Sequence, residues 1–251
     1  MIQGLVNFTD YFKDYSEDYV VIGGLATAMV MNDLGFVARA TKDIDLVVIS
    51  KNNEEFIKKL LGFIEVAGYK TKQRTDNESK HNLFRFLDSD DKTYPEQIEL
   101  FAIHTKDSEI LKDSHIIPIT TPEFYDYLSA ILLDKNYFEL LIEHTTNIEG
   151  LHVATPEVLI PLKIHAHINL LKNNHPDAKK HLTDVIRLAT MLDDETNVLL
   201  TDNPKKDYLE FLPLLEAVEP NTIRNILKSA GVGKIQKSIK ELLENVYTIS
   251  K

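Results

Sequence analysis

The sequence predicts an α+β chain: a mixed sheet with helices over residues 1–154, then a helical bundle over residues 155–251. Three observations lead there. Short β-rich runs alternate with helix-spaced segments through the first half. Apolar residues recur at intervals of three and four through almost all of the second half. Thr121-Pro122-Glu123 and Thr155-Pro156-Glu157 repeat the chemistry of a helix start, with a capping Thr and Pro in the first turn.

Taken in order, Tyr19-Val20-Val21-Ile22 reads as a strand that ends at Gly23-Gly24, and residues 25–34 read as a helix with Ala and Met spaced for burial. Residues 44–49 (IDLVVI) form a second strand, too apolar to face water on both sides. Asn52 or Asn53 caps the next helix, EEFIKKLLGFIEVAG, which stops near Gly68. Residues 84–87 and 97–101 flank a loop rich in Asp, Lys and Pro, the pattern of a long hairpin. Within that loop Asp88, Asp90 and Asp91 lack the glycine and terminal Glu of a calcium loop and read as a solvated turn. Residues 138–142 and 151–153 are two further expected strands. Four helices follow, in EVLIPLKIHAHINLL, AKKHLTDVIRLATML, KKDYLEFLPLLEAV and KIQKSIKELLENVY. Gly231-Val232-Gly233-Lys234 lacks the spacing and the preceding strand of a phosphate loop and reads as a break between helices.

Composition narrows the chemistry. The 251 residues include no cysteine, so disulfides and thiolate metal sites are excluded, and any bound metal is held by oxygen or imidazole. That favours Mg²⁺ or Mn²⁺ over structural zinc. The formal net charge of −11 argues against bulk DNA or RNA binding, which depends on neutralising phosphates. The N-terminus lacks the basic start and apolar run of a signal peptide, and no stretch reaches membrane-spanning length. A cytoplasmic location with no membrane partner is therefore expected.

Asp43 and Asp45 carry the strongest chemical signal. Two residues apart on a strand, their side chains share a face, and their mutual repulsion is relieved by a cation. The apolar Ile44, Leu46, Val47 and Val48 anchor the strand, which leaves the two carboxylates at its start. Glu99 interrupts the apolar run Gln97-Ile98-Glu99-Leu100-Phe101 and is the candidate third carboxylate on a neighbouring strand. Gly23-Gly24, between a strand and a helix, lets the backbone approach a phosphate at a helix N-terminus. Either motif alone is common; their joint order is far more specific. His165 and His167, two apart on a helix, do not face each other and read as packed or surface histidines.

With Gly23-Gly24, then Arg39-x-Thr41-x-Asp43-Ile44-Asp45, then a later strand acid, the chain resembles the DNA polymerase β-like nucleotidyltransferase superfamily. Within it, the order is similar to the AbiEii type, the toxins of type IV toxin–antitoxin systems. The similarity continues through Thr155-Pro156-Glu157-x-Leu159, Lys163-x-x-Ala166, and Lys180 four residues before Asp184, and so spans residues 20–184. The resemblance implies that Asp43, Asp45 and Glu99 hold Mg²⁺ or Mn²⁺. It also implies that Gly23, Gly24, Arg39, Thr41, Lys163, Lys180 and Asp184 contact the nucleotide. It further implies an NTP substrate, an acceptor hydroxyl on RNA (such as tRNA) or protein, and an antitoxin partner. From spacing alone, Lys180 and Asp184 read equally as an intrahelical ion pair, and Lys163 as a snorkelling surface lysine. The chain departs from the family pattern in three ways: Gly24 and Asp43 are farther apart than in compact members, which a longer first helix accommodates; Glu99 stands where Asp is usual; and Lys180-His181 replaces Lys-Asp, with no arginine after Ala166 at the usual interval. These departures keep open a non-catalytic NTP-binding or protein-interaction module, and the same carboxylates would also serve a metal-dependent phosphohydrolase or nuclease.

Overall fold

The computed structural model describes residues 3–50, 54–71, 85–103, 116–119 and 128–249. The chain is α+β, with a mixed sheet and helices in its first part and mainly helices after residue 154. Two compact units emerge: one comprises Met1–Leu25, Ala40–Phe138 and Thr145–Val153, the other Ala26–Arg39, Glu139–His144 and Ala154–Lys251.

The first unit is built on a sheet that opens with β1 (Tyr19–Ile22) and β2 (Asp43–Val48), followed by β3 (Lys70–Thr71), β4 (Arg85–Leu87) and β5 (Gln97–Ile103). Then come β6 (Ile116–Ile119), β7 (Leu128–Leu133), β8 (Thr145–Ile148) and β9 (Leu151–Ala154). The main path runs β3-β4-β5-β2-β1-β9-β8, with β7 pairing both β5 and β6. β1 is antiparallel to β2, whereas β2 and β5 are parallel, so the sheet is mixed. All four residues of β1 are buried, and in β2 only Asp43 and Asp45 interrupt the burial. Helices α1 (Leu5–Phe12) and α3 (Glu54–Val66) supply an aromatic core: Phe8, Phe12, Tyr19, Phe56 and Phe63 are each at most 1% exposed. Phe8 meets Phe63 edge-on at 5.7 Å between centroids. Gly68, at φ +64°, ends the turn after α3 as its position in the sequence implies.

The second unit is mainly helical. It holds most of α2 (Gly23–Asp33), then α5 (Pro156–Lys172), α6 (Ala178–Ala189), α7 (Asp202–Glu216), α8 (Pro220–Ser229) and α9 (Ile239–Val246). A short parallel pair, β10 (Val198–Leu200) with β11 (Tyr247–Ile249), interrupts the helices and is a feature that helical periodicity did not announce. No described helix is long and apolar enough to cross a membrane.

One expected strand is a helix. Residues 138–142 fall inside α4 (Lys135–Glu143). Asp134 accepts a hydrogen bond from the backbone of Asn136 at 3.0 Å, which caps the first turn. Tyr137, Leu140 and Leu141 then recur at the three-and-four spacing of a buried helical stripe. The last helix is shorter than its apolar pattern. It begins only at Ile239, because Ser238 and Glu241 form a reciprocal capping box and so fix the start. The expected helix start at Thr121-Pro122-Glu123, the capping Asn52 or Asn53, and Phe84 lie outside the described residues.

Candidate active site

In the first unit, Asp43 and Asp45 project from one face of β2, with Ile44 and Leu46 buried on the other. The parallel register sets Asp45 opposite Glu99 and Asp43 opposite Gln97. Registered partners on adjacent strands share a face, so Glu99 joins the two aspartates there. On its other side β5 is antiparallel to β4, which sets Arg85 opposite Glu99. A row of Arg85, Glu99 and Asp45 thus crosses three adjacent strands.

Gly23, where β1 ends and α2 (Gly23–Asp33) begins, closes this row. Its φ is +70°, a region that favours glycine, and Ile22 just before it lies opposite Asp45. A Cβ added at Gly23 would stand 1.8 Å from Asp45 Oδ2 and 2.8 Å from its Cγ. The missing side chain is therefore the seat of the Asp45 carboxylate. Gly24 continues into the first turn of α2.

Glu99 is only 8% exposed, between Ile98 and Leu100, which are both fully buried. A carboxylate so placed requires partners. Both of its described partners meet the same oxygen: Gln97 Nε2 donates to Oε1 at 2.8 Å, and the Arg85 guanidinium pairs with that atom too. Among the described residues no three potential ligands converge closely enough to clasp an ion. The donors themselves suit one, being carboxylate oxygens on one sheet face, the chemistry hard divalent cations take. Arg85 supplies positive charge to that face from within the chain.

In the second unit, a different cluster forms around Asp184 of α6, which is fully buried. Lys163 of α5, 3% exposed, donates to its Oδ2 at 2.8 Å. Arg39 grips both carboxylate oxygens, through Nε at 3.1 and 3.2 Å and Nη2 at 3.1 Å. Burial pushes the Asp184 carboxyl's pKa up, but Lys163 and Arg39 together outweigh it and hold the group below the ordinary carboxylate value. His181, one turn earlier, is pushed down to about 4, chiefly by burial and then by the nearby Lys163 and Lys180 charges. Its ring is consequently neutral at pH 7.

Lys180 does not join this cluster. Its amine pairs with Asp177 at 2.8 Å on the exposed side of α6, so the one-turn spacing to Asp184 does not become an ion pair. Nor is Lys163 a snorkelling surface lysine, since its amine lies inside. Thr41 stands half-buried just before β2, outside any helix or strand. His167 is buried against the Ala178 carbonyl at 2.8 Å, and His165 pairs with Asp207 at 2.6 Å, so neither faces the Asp184 cluster.

Two solved structures are similar in architecture. One is an antigenic nucleotidyltransferase-like protein from Paracoccidioides brasiliensis, at 14% identity and a TM-score of 0.46, with 91% of this chain and 95% of that chain covered. The other is ANT(2″)-Ia in complex with adenylyl-2″-tobramycin, at 16% identity and a TM-score of 0.44, with 84% of this chain and 96% of that chain covered. No protein-family model and no curated protein matches the chain. Both likenesses are faint, so the chemistry below rests on the chain's own residues.

Two participants on the carboxylate face escaped sequence reasoning, Arg85 and Gln97. Each sits in a β-run, where a polar residue reads as an ordinary solvent-facing position. Their role appears only once the registers of β4 and β5 are known. Arg39 was implicated by resemblance as a nucleotide contact, but its grip on Asp184 spans 145 positions of sequence and left no local signal.

Proposed function

We propose that the chain is a metal-dependent nucleotidyltransferase that moves a nucleotide from an NTP to an acceptor hydroxyl. The observation that carries the reading is the row in which Asp45 rests against Gly23 and stands in register with Glu99, with Asp43 on the same face. Asp43, Asp45 and Glu99 would hold Mg²⁺ or Mn²⁺, which when bound supplies positive charge to the triphosphate. The backbone at Gly23-Gly24, at the N-terminus of α2, is suited to a phosphate. The family resemblance also implies nucleotide contacts at Thr41 and, among residues of the second unit, at Arg39, Lys163, Lys180 and Asp184. In the reaction, the acceptor oxygen bonds to the α-phosphorus, the bond from that phosphorus to the bridging oxygen breaks, and pyrophosphate leaves. The hydroxyl proton passes to a carboxylate of the face, Glu99 being the assigned group.

The AbiEii resemblance extends the proposal to a toxin acting in the cytoplasm on RNA (tRNA in particular) or on a protein, held in check by an antitoxin partner. In the proposed division of labour, residues 1–154 carry the transfer site and residues 155–251 form the helical partner domain. A second reading, an NTP-binding module without turnover, draws support from one feature. Glu99 Oε1 is already taken by Arg85 and Gln97.

The test is incubation of the purified chain with each radiolabelled NTP, Mg²⁺ or Mn²⁺, and total cellular RNA and protein. A labelled macromolecule with the wild type, lost in Asp43→Ala and Asp45→Ala while both variants stay folded, is the expected result. Label retained in both variants would remove the mechanism. NTP binding without label would favour the non-catalytic module.

A further inference from the structure

We infer that Arg85 is a built-in counter-cation of the carboxylate face, which keeps divalent-ion affinity low until a nucleotide arrives and thereby couples metal loading to nucleotide binding. The inference rests on the nucleotidyltransferase reading and adds to it an order of assembly.

Glu99 is a nearly buried acid, and such a group is destabilised without a cation or hydrogen-bond donors. Arg85, opposite it on β4, supplies that cation. A guanidinium cannot relieve a clash with a metal ion by losing its proton, because it stays protonated at any physiological pH. A divalent ion arriving at Asp43, Asp45 and Glu99 therefore meets two opponents. It competes for a carboxylate already paired, and it is repelled by a positive charge within the same row of side chains. A triphosphate reverses both. Its negative charge offsets Arg85 for the incoming ion, and its oxygens offer the guanidinium the planar, paired acceptors that it binds best. Arg85 then exchanges Glu99 for phosphate, and Glu99 is released to the ion. Gln97, also on Glu99 Oε1, is neutral and keeps the carboxylate oriented through the exchange.

The test is a titration of the full-length protein with Mn²⁺, followed by the paramagnetic signal of the free ion, with and without a non-hydrolysable NTP analogue. Wild type is expected to bind Mn²⁺ weakly alone and much more tightly with the analogue. Arg85→Gln is expected to bind Mn²⁺ alone about tenfold more tightly than wild type, with a correspondingly smaller gain from the analogue, since coupling is reciprocal. Arg85→Lys keeps the charge and is expected to bind Mn²⁺ alone as weakly as wild type. Its gain from the analogue is expected to be smaller, because an ammonium lacks the paired donors of a guanidinium. Circular dichroism and this second variant thus guard against a folding artefact. Arg85→Gln binding as wild type does, or more weakly, would overturn the inference while leaving the metal site standing, provided Asp45→Asn abolishes binding. No saturable Mn²⁺ binding in any form, with or without the analogue, would overturn the metal site and the inference together.

Discussion

Gly23 and Gly231 share a backbone conformation, at φ +70° and +78°, but not an environment. Among the described residues nothing would meet a Cβ added at Gly231 within 4 Å, whereas at Gly23 the Asp45 carboxylate already occupies that space. Gly231→Ala is therefore expected to cost about 1 kcal/mol, the penalty of the left-handed conformation alone. Gly23→Ala is expected to cost about 3 kcal/mol, because the carboxylate must also be displaced. Urea unfolding of the two variants measures the difference, and equal losses would mean that Asp45 is not seated on Gly23. At this scale the sequence was half legible. Asp43 and Asp45 announce themselves by spacing, because a period of two is enough to place them on one face. Arg85 and Gln97 do not, because their partner is fixed by strand register, which no local pattern encodes.

Among the elements, α5 and α6 are joined through a buried charge. Asp184→Asn leaves Lys163 and Arg39 facing a neutral amide, and a loss of about 3 to 5 kcal/mol is expected, read from the urea midpoint. The same element sets a pH dependence. His181 has a folded pKa of about 4 against 6.5 ordinarily, so the unfolded chain binds more protons between those values. Stability accordingly falls as pH drops from 6.5 toward 4, by up to about 3 kcal/mol from this group. His181→Gln should flatten that part of the stability–pH curve, and an unchanged slope would contradict the assigned burial. Asp184 acts in a lower window: its contribution is present above pH 3.8 and is lost as pH falls below that value toward its depressed folded pKa. Elements with long apolar periodicity, such as α3, α5 and α6, were readable from sequence. Residues 138–142 were not, because five residues of a buried helix and of a strand look alike until the cap at Asp134 is seen. The small β10–β11 pair was hidden for a related reason: three-residue strands carry too few alternations to register.

For the whole molecule, a net charge of −11 argues against meeting anions through the bulk surface, and in the proposed function a cation held on the carboxylate face would meet them instead. The α+β architecture was legible because the two periodicities occupy different stretches of the chain. The carboxylate face was legible only in outline, since it combines residues 23, 43, 45, 85, 97 and 99 from four strands or their ends. In the proposed function these residues serve transfer of a nucleotide and not simple hydrolysis. The most direct measurement compares NTP labelled at the α-phosphate with NTP labelled at the γ-phosphate, using wild type and Asp45→Asn with total cellular RNA and protein. Nucleotide transfer predicts that α-label enters a macromolecule, γ-label leaves as pyrophosphate, and both events vanish in Asp45→Asn. Release of γ-label as free phosphate, with no α-label in any macromolecule, would contradict it and identify a phosphohydrolase.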